Sequence, residues 1–492
     1  MTRFFNLVAF TVLLVSTSDT SAFSLAGPRP PWMSEAIPSS NACYSGLTGP
    51  MNIDEEYRFN VPIITYGVTS DFASFFGARG VEEIQKAIAV LDELPNADQL
   101  NIDDYPTQSM RINHRARALG LMDVKSIAIQ STMRALGLED PTAYVYAPRN
   151  AWIQNGAVVE YYLTVRNFDP VTYLMSPYVN GTLYTYNRQG CPSVFPVDPS
   201  ERFFTTTTPA SAARSGPVEL LSGLYISSLS RDDVGGIKYL YNPKNYNMET
   251  SIPDVTGTGG VVAGGGGGAV GGGGIYDYSG FPGGSGGGAY DSAVVATNAL
   301  ATVTTGNQPA GGAGAGTTTF VNPAVRGGIG VLDFVEANYD SLLGEFFTPM
   351  TVNFTDNYVT NGVRRSQRLI RNLIQPDLRF DARDLQGAFA QDPVTYTPLG
   401  LGNVNWINSD TFDGTAGDDD GPGIIGGATL TFNTVTPFWN GVIDATGAYL
   451  ENGTFGAVSW QMWGAFDGTT NDPVVFPQGA DLEALESLIF SR

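Results

Sequence analysis

The chain is expected to be α+β in its first half and predominantly β in its last third, the two parts joined by a glycine-rich tract. Three observations carry this expectation. Residues 62–68, PIITYGV, are β-branched and aromatic as a buried strand requires, and apolar residues at helical spacing follow them. From 251 to 328 the composition collapses into Gly, Ala, Thr and Ser, which cannot bury enough apolar surface to offset their ordering entropy. Beyond 328 the pattern turns to alternation, with Ala428, Leu430 and Phe432 set against Thr429, Thr431 and Asn433.

Element by element, the N-terminus comes first. Arg3, the apolar run 7–15 and the small residues Thr20, Ser21 and Ala22 form the pattern of a secretory signal peptide over 1–22. Its apolar run is too short to span a bilayer, so the mature protein is expected to be secreted, with no transmembrane segment. Residues 23–54 read as an extension and 55–250 as the α+β unit. After the first strand, Gly80 leads a helix with Val81, Ile84, Ile88 and Leu91 on one stripe, ended by Pro95. A second helix runs from about Asp123, its N-cap, to Leu136, packing through Val124, Ile127, Ala128, Met133 and Leu136, with Gly137 at C′.

The tract 251–328 is read as a flexible linker, and 329–492 as a β-rich domain, a sandwich being one arrangement such strands favour. Within the latter, residues 363–375 are expected to be helical, with Val363, Ile370, Leu373 and Ile374 on the apolar side, Arg364, Arg368 and Arg371 on another, and Pro376 as the stop. The arginines read as an internal ion-pair surface. Val458, Trp460, Met462 and Phe466 share one strand face, Asn452-Gly453 suits a hairpin turn, and Leu482, Leu485 and Leu488 suggest a closing helix.

A net charge of −22 argues against nucleic acid as a partner, since nothing here would neutralise a phosphate backbone. The two cysteines, Cys43 and Cys191, would pair in an oxidising compartment, a closure worth on the order of 4 to 5 kcal/mol by the loop-entropy argument.

The most informative motif is 127–140, IAIQSTMRALGLED. It is followed by 169–178, DPVTYLMSPY, and 229–241, LSRDDVGGIKYLY. Together they resemble the matrixins, metzincin zinc peptidases with H-E-x-x-H-x-x-G-x-x-H on a helix, a methionine turn and a last helix entered by L-S-x-D-D. In that alignment Gln130 and Arg134 stand for the two helical histidines, Ser131 for the glutamate, Asp140 for the third histidine, Gly137 for the glycine and Met175 for the turn methionine. The resemblance implies a metzincin fold over about 55–245 with its zinc ligands and catalytic residues replaced.

The chemistry agrees with replacement. With one histidine, His114, in the whole chain, a three-histidine zinc site is arithmetically impossible, so no zinc cofactor is expected. His114 reads as an ordinary hydrogen-bonded residue. Arg134 would repel a cation, and Asp140 is placed to pair with it across the former metal cavity. Ser131 has no adjacent base and is no nucleophile. Asp410, Asp413, Asp418, Asp419 and Asp420 crowd a glycine-rich loop and would suit calcium, without the EF-hand spacing. Trp406, Trp439, Trp460 and Trp463 gather in the last third, with Trp460 on the core face and Trp463 on the opposite one.

The expected function is therefore a secreted, non-catalytic matrixin-like protein that binds an extracellular protein or polysaccharide, in adhesion or matrix. The alternatives are an extracellular metallopeptidase of the matrixin type, and a carbohydrate-binding protein acting through its C-terminal β domain.

Overall fold

The computed structural model describes residues 21–27, 49–145, 147–154, 157–187, 195–197, 222–250, 255–257, 300–302, 319–322, 324–340, 346–360, 362–385, 393–399, 401–403, 422–434 and 463–490. It is α+β and rich in strand. The elements that position the site are β1 (Ile63–Val68), α1 (Ser70–Asp92), α2 (Val124–Ala135), α3 (Arg231–Tyr241), β2 (Asp333–Glu336), β3 (Met350–Thr360), β4 (Val363–Leu373), β5 (Leu378–Arg383), β6 (Val394–Pro398) and β7 (Ala428–Asn433).

The central sheet has the order β2–β1–β5–β7–β6. Strands β2, β1, β5 and β7 are parallel, and β6 closes one edge antiparallel to β7. Strand β1 lies between two strands from beyond residue 328, so the expected division at 251–328 is not a division of this sheet. The main core likewise mixes Ile64, Phe72 and Ile127 with Phe380, Leu430 and Phe432. Strand β7 is buried at every position, the alternating Thr429, Thr431 and Asn433 included, because it lies inside the sheet.

Helix α1 starts ten residues before the expected Gly80. Thr69 caps it, its hydroxyl accepting from Phe72 N at 3.3 Å, and a break at Gly77, with φ 62°, joins two helical pieces. The aromatic run Phe72, Phe75 and Phe76 fills the first piece, and Phe76 lies edge-on to Phe432, Trp463 and Phe476.

The expected helix at 363–375 is corrected to the strand β4. Its residues alternate: Leu369, Arg371 and Leu373 are buried while Arg364, Ser366, Arg368 and Asn372 are exposed, and every residue pairs with β3 from Val363↔Thr360 to Leu373↔Met350. The overlooked signal is Asn361-Gly362, a hairpin dipeptide just before the strand; Gly362 has φ 71°. Arg371 is buried against Asp377 at 3.0 Å, so of the arginine stripe this one is an internal ion pair.

Both ends of the glycine-rich tract belong to the second, five-stranded sheet. Val255–Gly257 pairs with β4, and Ala324–Gly327 joins Tyr246–Glu249 to β3. The closing helix is present at Leu482–Phe490. No helix among the described residues is long and apolar enough to cross a membrane.

Candidate functional site

Helix α2 forms where its sequence signals place it. Asp123 is the N-cap, accepting from Ser126 N at 2.9 Å and from the Ser126 hydroxyl, and Gly137, at φ 99°, ends the helix. A side chain at Gly137 would also meet Tyr57 O at 2.1 Å, so both conformation and space demand glycine. The helix packs on α1 on one side and β6 on another, which buries polar and apolar positions alike.

The four positions aligned with catalytic residues are all buried. Gln130 borders a void of about 10 Å³, shared with Met110, Asp123, Ser126 and Tyr225, which is room for a single water at most. Ser131 Oγ has no hydrogen-bond partner among the described residues. Arg134 Nε lies 3.2 Å from Oε2 of Glu139, the residue before the expected Asp140, and its guanidinium sits 5.7 Å from the ring centre of Tyr396 on β6. Asp140 is buried beside them, its N–H donating to Glu139 Oε1 at 3.2 Å.

Burial dominates the electrostatics of this cluster. Desolvation pushes the Glu139 carboxyl up to about 7, against the pull of Arg134, and the adjoining Asp140 adds to the rise. The Tyr396 phenol is also raised by burial. At the other end of α2, desolvation raises Asp123 to about 6, although Ser126 hydrogen bonds hold it down. Arg134 is thus held, buried, between a carboxylate and an aromatic face.

The methionine loop, 169–178, has an exposed tip. Asp169 Oδ1 organises it by accepting from Val171 N at 3.0 Å, Thr172 N at 2.7 Å and the Thr172 hydroxyl at 2.9 Å. Leu174 is 69 % exposed and Met175 54 % exposed, lining an open depression of about 370 Å³ formed by residues 169, 171, 172 and 174–178. The loop rests on α3: Tyr173 lies 5.1 Å from the Tyr239 ring, and Pro170 packs where Gly235 leaves room. The structure thus gathers Gln130, Ser131, Arg134 and Asp140 on and beyond α2, while Met175 bridges to Phe168, which is itself bridged to Phe23.

Helix α3 opens with a capping box between Ser230 and Asp233. Its Asp232 is buried and accepts from Ala22 N at 3.0 Å and Asn180 N at 2.6 Å, and burial raises its carboxyl well above the usual range. Ala22, the last residue of the expected signal peptide, is itself buried beside the strand Ser24–Gly27.

His114 is exposed at the start of a short helix. Trp463 is corrected from an outward position to the core, fully buried with Nε1 donating to Asn433 O at 2.8 Å. Cys43, Cys191, the acidic positions Asp410, Asp413, Asp418, Asp419 and Asp420, and Trp406, Trp439 and Trp460 lie outside the described residues.

Sequence reasoning missed Glu139, Tyr396 and the buried pairs Arg58–Glu249, at 2.7 Å, and Arg326–Asp356, at 2.9 Å. Glu139 could have been found as a second acid beside Asp140 after an apolar helix; Tyr396 carries no signal, since only the sheet brings it to α2. No family model, curated protein or solved structure matches the chain.

Proposed function

We propose that the chain is a secreted, non-catalytic protein on a matrixin-like scaffold, with a binding, adhesion or extracellular-matrix role. The observation that carries this reading is Arg134: at the position of a metal-ligating histidine stands a buried guanidinium, paired with Glu139 and stacked on Tyr396. Two long helices beside a mixed sheet, with α2 ended by Gly137 and α3 entered through Ser230 and Asp233, further support the scaffold. A peptidase needs a polarised water and an open cleft, and the α2 positions supply neither. Binding through an exposed Trp463 is disfavoured by its burial, so the carbohydrate reading loses one of its four tryptophans.

The test is metal analysis of the purified mature chain after incubation with zinc, alongside a general peptidase assay with and without chelator. The reading expects less than a tenth of an equivalent of retained zinc, roughly the background of a protein without a site, and no chelator-sensitive cleavage. Retention near one equivalent together with such cleavage would restore the peptidase reading.

A further inference from the structure

Two described segments of the chain carry the Asn-x-Thr pattern of an N-glycosylation acceptor, and the fold treats them in opposite ways. The first is Asn180-Gly181-Thr182. Asn180 and Gly181, with φ 46° and 78°, form the turn between the short strands Tyr178–Val179 and Thr182–Leu183. The side chain points inward. In the orientation that satisfies its neighbours, Asn180 Nδ2 donates to Asp232 Oδ2 at 3.2 Å, Thr107 O at 3.1 Å and Ser230 Oγ at 3.1 Å. A sugar on that nitrogen would have to displace all three acceptors and reach past a fully buried carboxylate.

The second is Asn353-Phe354-Thr355 in the middle of β3. Strand alternation puts Asn353 and Thr355 on the outer face, both exposed, while Phe354 turns inward against the main core. Asn353 stands opposite Ile370, and Thr355 opposite Arg368. Around them the same face presents Thr351, Asn357, Arg364, Ser366 and Asn372, all exposed and none a carboxylate. The hairpin is long, with eleven residues in each strand, a shape that invites association, and a bulky hydrophilic group on it would oppose such contact.

We infer that Asn353 is an N-glycosylation site and that Asn180 is not. The inference rests on the reading of the chain as exported. The donor is a polyprenyl-diphosphate-linked oligosaccharide. Asn353 Nδ2 forms a bond to the anomeric carbon of the reducing-end sugar and loses one proton to the transferase's base. The sugar–phosphate C–O bond breaks, and the polyprenyl diphosphate leaves with the electron pair. No oxidant or reductant is involved. The modification is made on the extended chain; at 353 the folded face then holds the sugar without covering a core residue, whereas a chain modified at 180 cannot close its turn on Asp232 and is not secreted folded.

The full chain, secreted from a eukaryotic host, is treated with peptide N-glycosidase in heavy-oxygen water, and its peptides are mapped by mass spectrometry together with its N-terminus. The expected result is labelled aspartate at 353, unmodified asparagine at 180, and loss of the label at 353 in Thr355→Ala but not in Thr355→Ser. Asn353→Gln should shift the untreated protein to lower mass by one glycan. A chain processed at its N-terminus but bare at Asn353, or one labelled at Asn180, overturns the site assignment alone. A chain that retains residues 1–22 and carries no glycan overturns the export reading and this inference with it.

Discussion

Helix α2 and the loop at 169–178 carry two parts of one sequence resemblance and sit in opposite environments. On α2, Gln130, Ser131 and Arg134 are buried and Arg134 is closed off by Glu139 and Tyr396. On the loop, Leu174 and Met175 face solvent, and the depression they line contains no residue of α2. Spacing on a helix fixes which residues share a face; it does not fix whether a second segment, 35 or more residues on by the numbering, converges on that face. Burial in this molecule separates the position that must be preserved from the position that can change.

The largest expected effect tests whether α2 depends on strands from the far end of the chain. A fragment ending at residue 250 deprives β1 of both its neighbours, β2 and β5, and removes β6 from α2. Urea titration of that fragment, followed by circular dichroism, should show no cooperative transition. A sigmoidal curve like that of the full chain would mean that the first half folds alone.

Next comes Gly137→Ala, which sharpens the α2 side of the comparison. The positive φ and the approach of Tyr57 O at 2.1 Å should together cost about 3 kcal/mol or more in chemical denaturation. A smaller effect follows from pH. Glu139 and Asp123 are raised to about 7 and about 6, above their ordinary values, so the fold binds their protons more tightly than the unfolded chain does. Their contribution is complete below the ordinary carboxylate pKa and is lost as pH rises through about 6 to 7. Between pH 5 and 8 stability should fall by on the order of 1 to 3 kcal/mol, and Glu139→Gln should flatten that slope. Smallest is Met175→Ala on the exposed loop, expected to change stability by less than about 0.5 kcal/mol. A cost of several kcal/mol there would mean that the methionine supports buried structure after all.

Local signals were legible and long-range ones were not. Asp123, Gly137 and Ser230 mark helix ends through hydrogen bonds within three or four residues, so sequence shows them. The mistaken helix at 363–375 came from reading Val363, Ile370 and Leu373 at helical spacing, although Leu369, Arg371 and Leu373 also alternate; Asn361-Gly362 decides between the periods. The arginines expected to form an internal ion-pair surface divide in the same way, Arg371 inward to Asp377 and Arg364 outward to the Tyr246 hydroxyl at 2.9 Å. Strand β2 could not have been placed beside β1 from sequence, because 264 residues separate Val68 from Asp333 and no turn signal links them. Tyr396 escaped for the same reason.

The central claim is that the α2 site is closed by a buried ion pair rather than left open beneath the methionine loop. A double-mutant cycle of Arg134→Met and Glu139→Gln, read by urea unfolding of the full chain at pH 8, tests it most directly. The account predicts that Arg134→Met alone costs roughly 3 kcal/mol, and that the two changes together cost less than the sum of the singles by about 2 kcal/mol or more. Costs that add within about 0.5 kcal/mol would contradict it, since independent effects would mean that Arg134 and Glu139 do not hold each other in place.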